Sequence, residues 1–118
     1  MFKTINGFTK AKMIEMINNR MLDHRAVSRS PNGEVIGCAY RDPKNGNRCA
    51  IGCFIPEGHE SEKFGNGVAS LLVHYPELKN LMPIQTMGLS NMQRVHDRCE
   101  IGNPKLEVVQ WIEANVQD

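Results

Sequence analysis

Aromatic side chains are scarce in this chain: four Phe, two Tyr and one Trp among 118 residues. A core of ordinary size must then be filled by aliphatic residues and by the seven methionines, whose unbranched side chains adapt to irregular gaps. No run approaches the roughly 18 apolar residues that span a bilayer, and Met1 to Lys10 lacks the hydrophobic centre of a signal peptide. Both absences point to the cytoplasm. Charge of one sign is lacking too. Fourteen Lys and Arg stand against 13 Asp and Glu, a net +1, which excludes a globally basic nucleic-acid-binding chain but not a local patch. Neither a Cys-x-x-Cys pair, a Walker loop nor a Gly-x-Gly-x-x-Gly fingerprint occurs. What is present, 41% apolar and 23% charged residues over 118 positions, is the composition of one globular domain spanning 1–118.

Charge and periodicity divide that domain. Residues 1–30 hold Lys3, Lys10, Lys12, Arg20, Arg25 and Arg29 against Glu15 and Asp23, so this quarter is the basic end. Within it Met13, Ile14, Met16, Ile17 and Met21 fall on one side of a helical projection, with Lys12, Glu15 and Asn19 opposite. The spacing predicts an amphipathic helix over 9–23, with Thr9 as its N-cap. His24 to Asn32 has no period and ends in Pro31-Asn32-Gly33, the composition of a loop.

Two short runs, Glu34 to Tyr40 and Arg48 to Ile55, flank Asn45-Gly46, a pair suited to the type I′ turn of a tight hairpin. A β-hairpin over 34–55 is therefore predicted. With Asn45-Gly46 as the loop, Cys38 faces Cys53, Tyr40 faces Ile51 and Asp42 faces Cys49; a longer loop containing Pro43 shifts that register. One face then carries Ile36, Cys38, Tyr40, Cys49, Ile51, Cys53 and Ile55, and turns inward. The other carries Gly37, Ala39, Ala50 and Gly52 as a smooth strip, with Arg41 and Arg48 beside it.

The remainder, 66–117, reads as helical. Glu57 to Lys63 is polar with nothing to bury, a mobile loop. Val68, Leu71, Leu72 and Tyr75 share one helical face after Gly65-Asn66-Gly67, and Pro76 and Pro83 bracket a single 3₁₀ turn. Ser90-Asn91-Met92-Gln93 matches a capping box, placing a helix start at Ser90 with Gly102 to close it. Asn103-Pro104 opens the last helix, whose buried stripe is Val108, Val109, Ile112 and Val116, flanked by Trp111. The expected fold class is α+β, one antiparallel hairpin packed with about four helices.

The stretch Cys38-Ala39-Tyr40-Arg41 through Arg48-Cys49-Ala50-Ile51-Gly52-Cys53-Phe54-Ile55-Pro56, followed by Val95-His96-Asp97, resembles a diffuse group of small bacteriophage and prophage proteins. They share Tyr-Arg, a glycine turn, Cys-Ala-hydrophobic-Gly-Cys-hydrophobic-Ile-Pro, and a late His-Asp. The resemblance covers residues 8–115 in order of elements, although its specific motif is only about twenty residues long. It implies a phage setting: an accessory product acting in the host cytoplasm, including on antiviral defences. It transfers no catalytic residue.

Several constellations invite chemistry. Cys38, Cys53 and Cys99, with His96, are candidate metal ligands, thiolates being good zinc donors. Their long, unpaired spacings fit core packing better, and Cys38 opposite Cys53 fits a disulfide only outside a reducing compartment. Cys49 and His96 are the candidates for a nucleophile and its base in a small hydrolase. Asp97, about 100° from His96 on a helix, is poorly placed to orient it. His74 with His96-Asp97 is a fragmentary match to metal-dependent His-Asp phosphohydrolases, without their upstream helix histidine. Arg41 and Arg48 are the candidate phosphate-binding pair, with Asn66 and Gly67 adding donors. The leading expectation is a non-enzymatic, cofactor-free protein that binds a host protein or an anionic nucleotide, with nucleic acid and membrane not expected and a homodimer allowed. Charge reversal at Arg41 or Arg48 is expected to abolish phosphate binding without lowering the melting temperature.

Overall fold

Thr9 opens the first helix by accepting a hydrogen bond from the Lys12 backbone N–H at 3.1 Å, satisfying one of the donors that a helix start leaves unpaired. The helix α1 spans Lys10–Arg20 and buries Met13 and Ile17 completely. It ends three residues earlier than its apolar pattern suggests, because Asn47 intervenes. The Asn47 side chain, 1% exposed, accepts from Leu22 N–H and donates to the His24 carbonyl, both at 2.7 Å, and so draws the chain out of helical conformation. The computed structural model describes residues 1–99 and 102–118.

Strands β2 (Val27–Arg29) and β3 (Val35–Cys38) form the antiparallel ribbon, with Val27 opposite Cys38 and Ser28 opposite Gly37. They are joined through Pro31-Asn32-Gly33, where Gly33 takes φ +84°, a left-handed value that glycine tolerates without strain. The segment expected as a loop thus supplies one strand, and the hairpin predicted over 34–55 is replaced by one over 27–38. Beyond it the chain turns through Pro43 to Gly46, and the only continuation of pairing among the described residues is a single bridge, Arg41 opposite Arg48. This pairing is displaced by two residues from the expected register. From Cys49 the chain winds inward: Cys53 N–H reaches Cys49 O, and Gly52–Phe54 forms a 3₁₀ turn.

The physical reason is burial. A strand with one wet face exposes alternate residues, yet Cys49, Ala50, Ile51, Cys53 and Ile55 are all 0% exposed. A coiled turn in the middle of the core accommodates seven consecutive apolar residues; a two-stranded ribbon does not. Cys38, placed inward by the predicted register, is exposed, as are Val35 and Ile36. Ala50 and Gly52, expected on an open strip, are enclosed instead.

The rest follows the pattern more closely. A 3₁₀ turn at Glu60–Lys63 stands where a featureless loop was expected, with Ser61 fully buried. Then come α2 (Val68–His74), the 3₁₀ turn Pro76–Leu81, α3 (Thr86–Arg98) and α4 (Pro104–Asn115). Helix α3 begins a full turn before Ser90 because the apolar face extends back through Gly88 and Leu89, both buried. Gly102 takes φ +112° in the link to α4. Asn103 caps α4 by accepting from Leu106 N–H at 3.1 Å, ahead of Pro104, and Val108, Ile112 and Val116 are buried as expected. Short strands β1 (Phe2–Lys3) and β4 (Val116–Gln117) pair in parallel. The architecture is α+β, with its core between α1, the 49–55 turn and helices α2 to α4. None of the described helices is long and apolar enough to cross a membrane.

Candidate functional site

Arg48 is not a surface residue. It is 3% exposed and donates to the carbonyls of Gly52 at 2.9 Å and Ile55 at 3.2 Å, tying together the two ends of the coiled turn. Its remaining amine meets the Glu62 carboxylate at 2.6 Å. Charge reversal here would therefore disturb folding, contrary to the sequence expectation, because it would place two carboxylates together in a buried setting.

Arg41 stays available. Its guanidinium is about one-third exposed, and its carboxylate neighbours, Glu57 and Glu62, both lie at 3.9 Å, too far for the bidentate hydrogen-bonded pairing that would saturate it. It lies between two cavities. On one side is a polar cleft of about 370 Å³ lined by Arg20, Arg41, Arg48, Asn19, Asn45 and Glu57, among others. Three guanidinium groups meet there. Arg20 donates to the Cys53 carbonyl at 2.7 Å, and burial followed by the nearby Arg48 charge lowers its pKa. Loss of solvation is thus the main effect on this cation and the neighbouring charge the lesser one.

On the other side of Arg41 is a groove with two connected lobes. The first, about 300 Å³, lies between Cys38, Ala39 and Pro43 on one wall and Lys63, Phe64 and Gly65 on the other, and is mainly apolar. The second, about 220 Å³, shares Cys38, Ala39, Phe64 and Gly65 and continues to Tyr40, Asn66, Gly67, Gln93 and Asp97. Together the lobes reach the size range of small-ligand sites, roughly 300–1,000 Å³. Phe64 is held in place by ring contacts to His74 at 5.0 Å and Tyr75 at 5.8 Å. The segment that carries it is fixed at its start by His59, whose Nδ1 accepts from Ser61 N–H while Nε2 faces Glu77 at 3.1 Å. The sequence Ser61, His59, Glu77 has the order of a nucleophile, base and acid, but Ser61 is 0% exposed and the arrangement caps a 3₁₀ turn.

Of the predicted ligand-binding residues, Arg41, Asn66 and Gly67 thus line one continuous groove, while Arg48 forms the floor of the adjoining cleft. Asn66 contributes its carbonyl to the Tyr40 hydroxyl at 2.7 Å. Sequence reasoning missed Arg20 and Phe64 as parts of the site. Nothing local marks either one, since their relation to Arg41 is created by the inward winding of 49–55 and by the cap at His59.

The Cys49–His96 pairing finds no support. Cys49 is enclosed, accepts from the Gly52 N–H, and burial drives its thiol pKa strongly upward, away from the reactive thiolate. Both His96 nitrogens are engaged elsewhere: Nε2 with Ala26 N–H at 3.2 Å and Nδ1 with Asp97 Oδ1 at 2.9 Å. Asp97 does orient His96, contrary to the helical-wheel argument, because a flexible carboxylate reaches back to the neighbouring ring. His74 bonds its own helix at Ser70 O. None of the four cysteines is in a disulfide. Cys38 lies by Asp97, Cys53 by Arg20 and Cys99 by Glu107. Among the described residues no three His, Cys, Asp or Glu side chains form a metal-holding group, so Cys38, Cys53 and Cys99 do not make the candidate metal site.

These environments set a testable order of thiol reactivity. Burial, then the Asp97 charge and hydrogen bond, hold the Cys38 thiol above its ordinary value of 9.0, while Cys53 is pushed up to about 12 by burial and Cys99 to about 11 by Glu107 and burial. Iodoacetamide should modify Cys38 alone in the folded protein, slowly at pH 8 and faster as pH rises beyond 9. Modification of Cys49 or Cys53 at a comparable rate under native conditions would contradict the burial described. For the enclosed thiols the folded pKa is raised, so their stabilising contribution is fully present below the unfolded value near 9 and is lost as pH climbs from there towards the folded values.

No family model, curated protein or solved structure matches this chain.

Proposed function

We propose that this chain is a non-enzymatic binding protein that captures a nucleotide, with the base lying in the Ala39–Phe64 groove and the phosphate turned to Arg41. The observation that carries this reading is the position of Arg41, the wall shared by a mainly apolar groove and a cleft containing two further guanidinium groups. Phosphate competes well for such a cation, since its present carboxylate neighbours are at 3.9 Å and Glu57 is largely exposed and free to swing away. Phe64 supplies a preformed aromatic surface for a planar ring. Lys63 adds a second cation on the groove wall.

The phage-type resemblance gives this binding a setting: stoichiometric sequestration, in the host cytoplasm, of a nucleotide signal on which a defence protein depends. A second reading, direct contact with a host protein, is favoured by the exposed Val35 and Ile36 on β3, 56% and 67% accessible, on a ribbon with no third strand.

Calorimetric titration with nucleoside monophosphates separates the two. The wild-type protein is expected to bind, and Arg41→Glu to lose affinity by a hundredfold or more, about 3 kcal/mol, while its melting temperature stays within a few degrees. Unchanged affinity in the folded variant would remove Arg41 from the site and with it the nucleotide reading. If instead Ile36→Lys abolishes capture of a host protein that Arg41→Glu still captures, the second reading holds.

A further inference from the structure

The end of the groove away from Arg41 carries a carboxylate whose orientation is fixed by its neighbours. The Ala26 backbone N–H points at His96 Nε2 at 3.2 Å, and a backbone N–H can only donate, so Nε2 is the acceptor nitrogen of the ring. The ring proton then sits on Nδ1 and is donated to Asp97 Oδ1 at 2.9 Å. Gln93 completes the clamp. Its Oε1 accepts from Ile51 N–H at 3.0 Å, which places its amide nitrogen 2.9 Å from the same Asp97 Oδ1. Both bonds converge on one oxygen, so Asp97 Oδ2 accepts from neither, and the carboxylate lines the groove about one-third exposed. Cys38 shares the groove wall with this carboxylate. Tyr40 also lines this lobe, its hydroxyl donating to the Asn66 carbonyl at 2.7 Å. Gln93 has both functional groups committed. Asp97 is the charged side chain in the lining of this lobe.

We infer that Asp97 is the specificity-determining residue of the groove: its carboxylate accepts an N–H from the base, so the protein selects nucleotides bearing an exocyclic amino group over those with a carbonyl at the same position. This rests on the nucleotide reading of the site. A carbonyl brought against Asp97 Oδ2 sets acceptor against acceptor, whereas an amino group supplies that oxygen with a donor. His96 and Gln93 are positioning residues that act through Asp97.

The test compares CMP with UMP and AMP with IMP by calorimetric titration, on the wild-type protein and on Asp97→Asn. Asparagine keeps an oxygen for His96 and Gln93 and presents an amide N–H₂ to the groove, so the fold is preserved while the groove-facing group changes from acceptor to donor. Wild type should bind CMP and AMP at least about tenfold more tightly than their oxo counterparts, and Asp97→Asn should erase or reverse that order. Equal binding within each pair by wild type, or an unchanged preference in Asp97→Asn, overturns the inference and leaves the nucleotide site standing. Failure of all four nucleotides to bind at millimolar concentration overturns both.

Discussion

Gly52→Ala is expected to leave this protein unfolded, or folded with a loss of about 4 kcal/mol or more, a large share of the 5–15 kcal/mol that holds a domain of this size together. A β-carbon on Gly52 would sit 1.9 Å from the Tyr40 carbonyl oxygen and 2.8 Å from its carbonyl carbon, both backbone atoms that cannot rotate away. Relief requires separating the 49–55 turn from Tyr40, two residues past the end of β3, which opens the middle of the core. Gly88→Ala offers the contrast. Its β-carbon would meet Ile84 Cδ1 at 2.7 Å and the Phe2 ring at 3.0 Å, side-chain rather than backbone atoms, and it gains helix propensity. Urea denaturation followed by circular dichroism should show Gly52→Ala far below Gly88→Ala in midpoint. A Gly52→Ala protein with a wild-type midpoint would mean that the turn does not pack against Tyr40.

Arg48→Met should lower stability by about 3 to 5 kcal/mol, the usual cost of removing one partner from a buried ion pair. Methionine fills much of the volume but leaves the Glu62 carboxylate without its partner at 2.6 Å, the Ile55 carbonyl without the Arg48 donor, and the Gly52 carbonyl with the Ile55 N–H alone. The double variant Arg48→Met with Glu62→Gln should recover part of the loss, since it removes the uncompensated charge. Arg41→Met, by comparison, should lower stability by about 0.5 kcal/mol or less, as expected for a cation one-third exposed with its carboxylates at 3.9 Å. The pair of measurements separates an arginine that holds the fold from one, seven residues away, that the fold does not need. Equal destabilisation by both substitutions would contradict the division made here.

That division was not legible in the sequence. Arg41 and Arg48 read alike because both stand beside small residues, and only tertiary burial distinguishes them. The helices were more readable: Thr9, Asn103 and Pro104 are local capping signals whose partners lie within a few residues, and they place α1 and α4 closely. Ser90 misled for the same reason. Its capping-box spacing is genuine, but Leu89 and Gly88 bury a further turn and override it. The hairpin failed where its second strand had to be amphipathic. Cys49 to Ile55 is apolar at both odd and even positions, a pattern that cannot fix which side faces water, and the chain resolves it by coiling inward. Asn45-Gly46 did mark a turn, with Gly46 at φ +74°, but as the end of a four-residue loop that includes Pro43. The groove could not be foreseen, since its walls come from 38–43 and 63–67 and its far end from Gln93 and Asp97.

The central claim, that the Ala39–Phe64 groove beside Arg41 is where this protein binds, is tested most directly by following backbone amide resonances during titration with a nucleoside monophosphate. Shifts should saturate together and concentrate on Ala39, Arg41, Phe64, Gly65 and Asn66, with the Trp111 side of the molecule unmoved. Saturable shifts centred elsewhere, or none at millimolar ligand, would contradict the account.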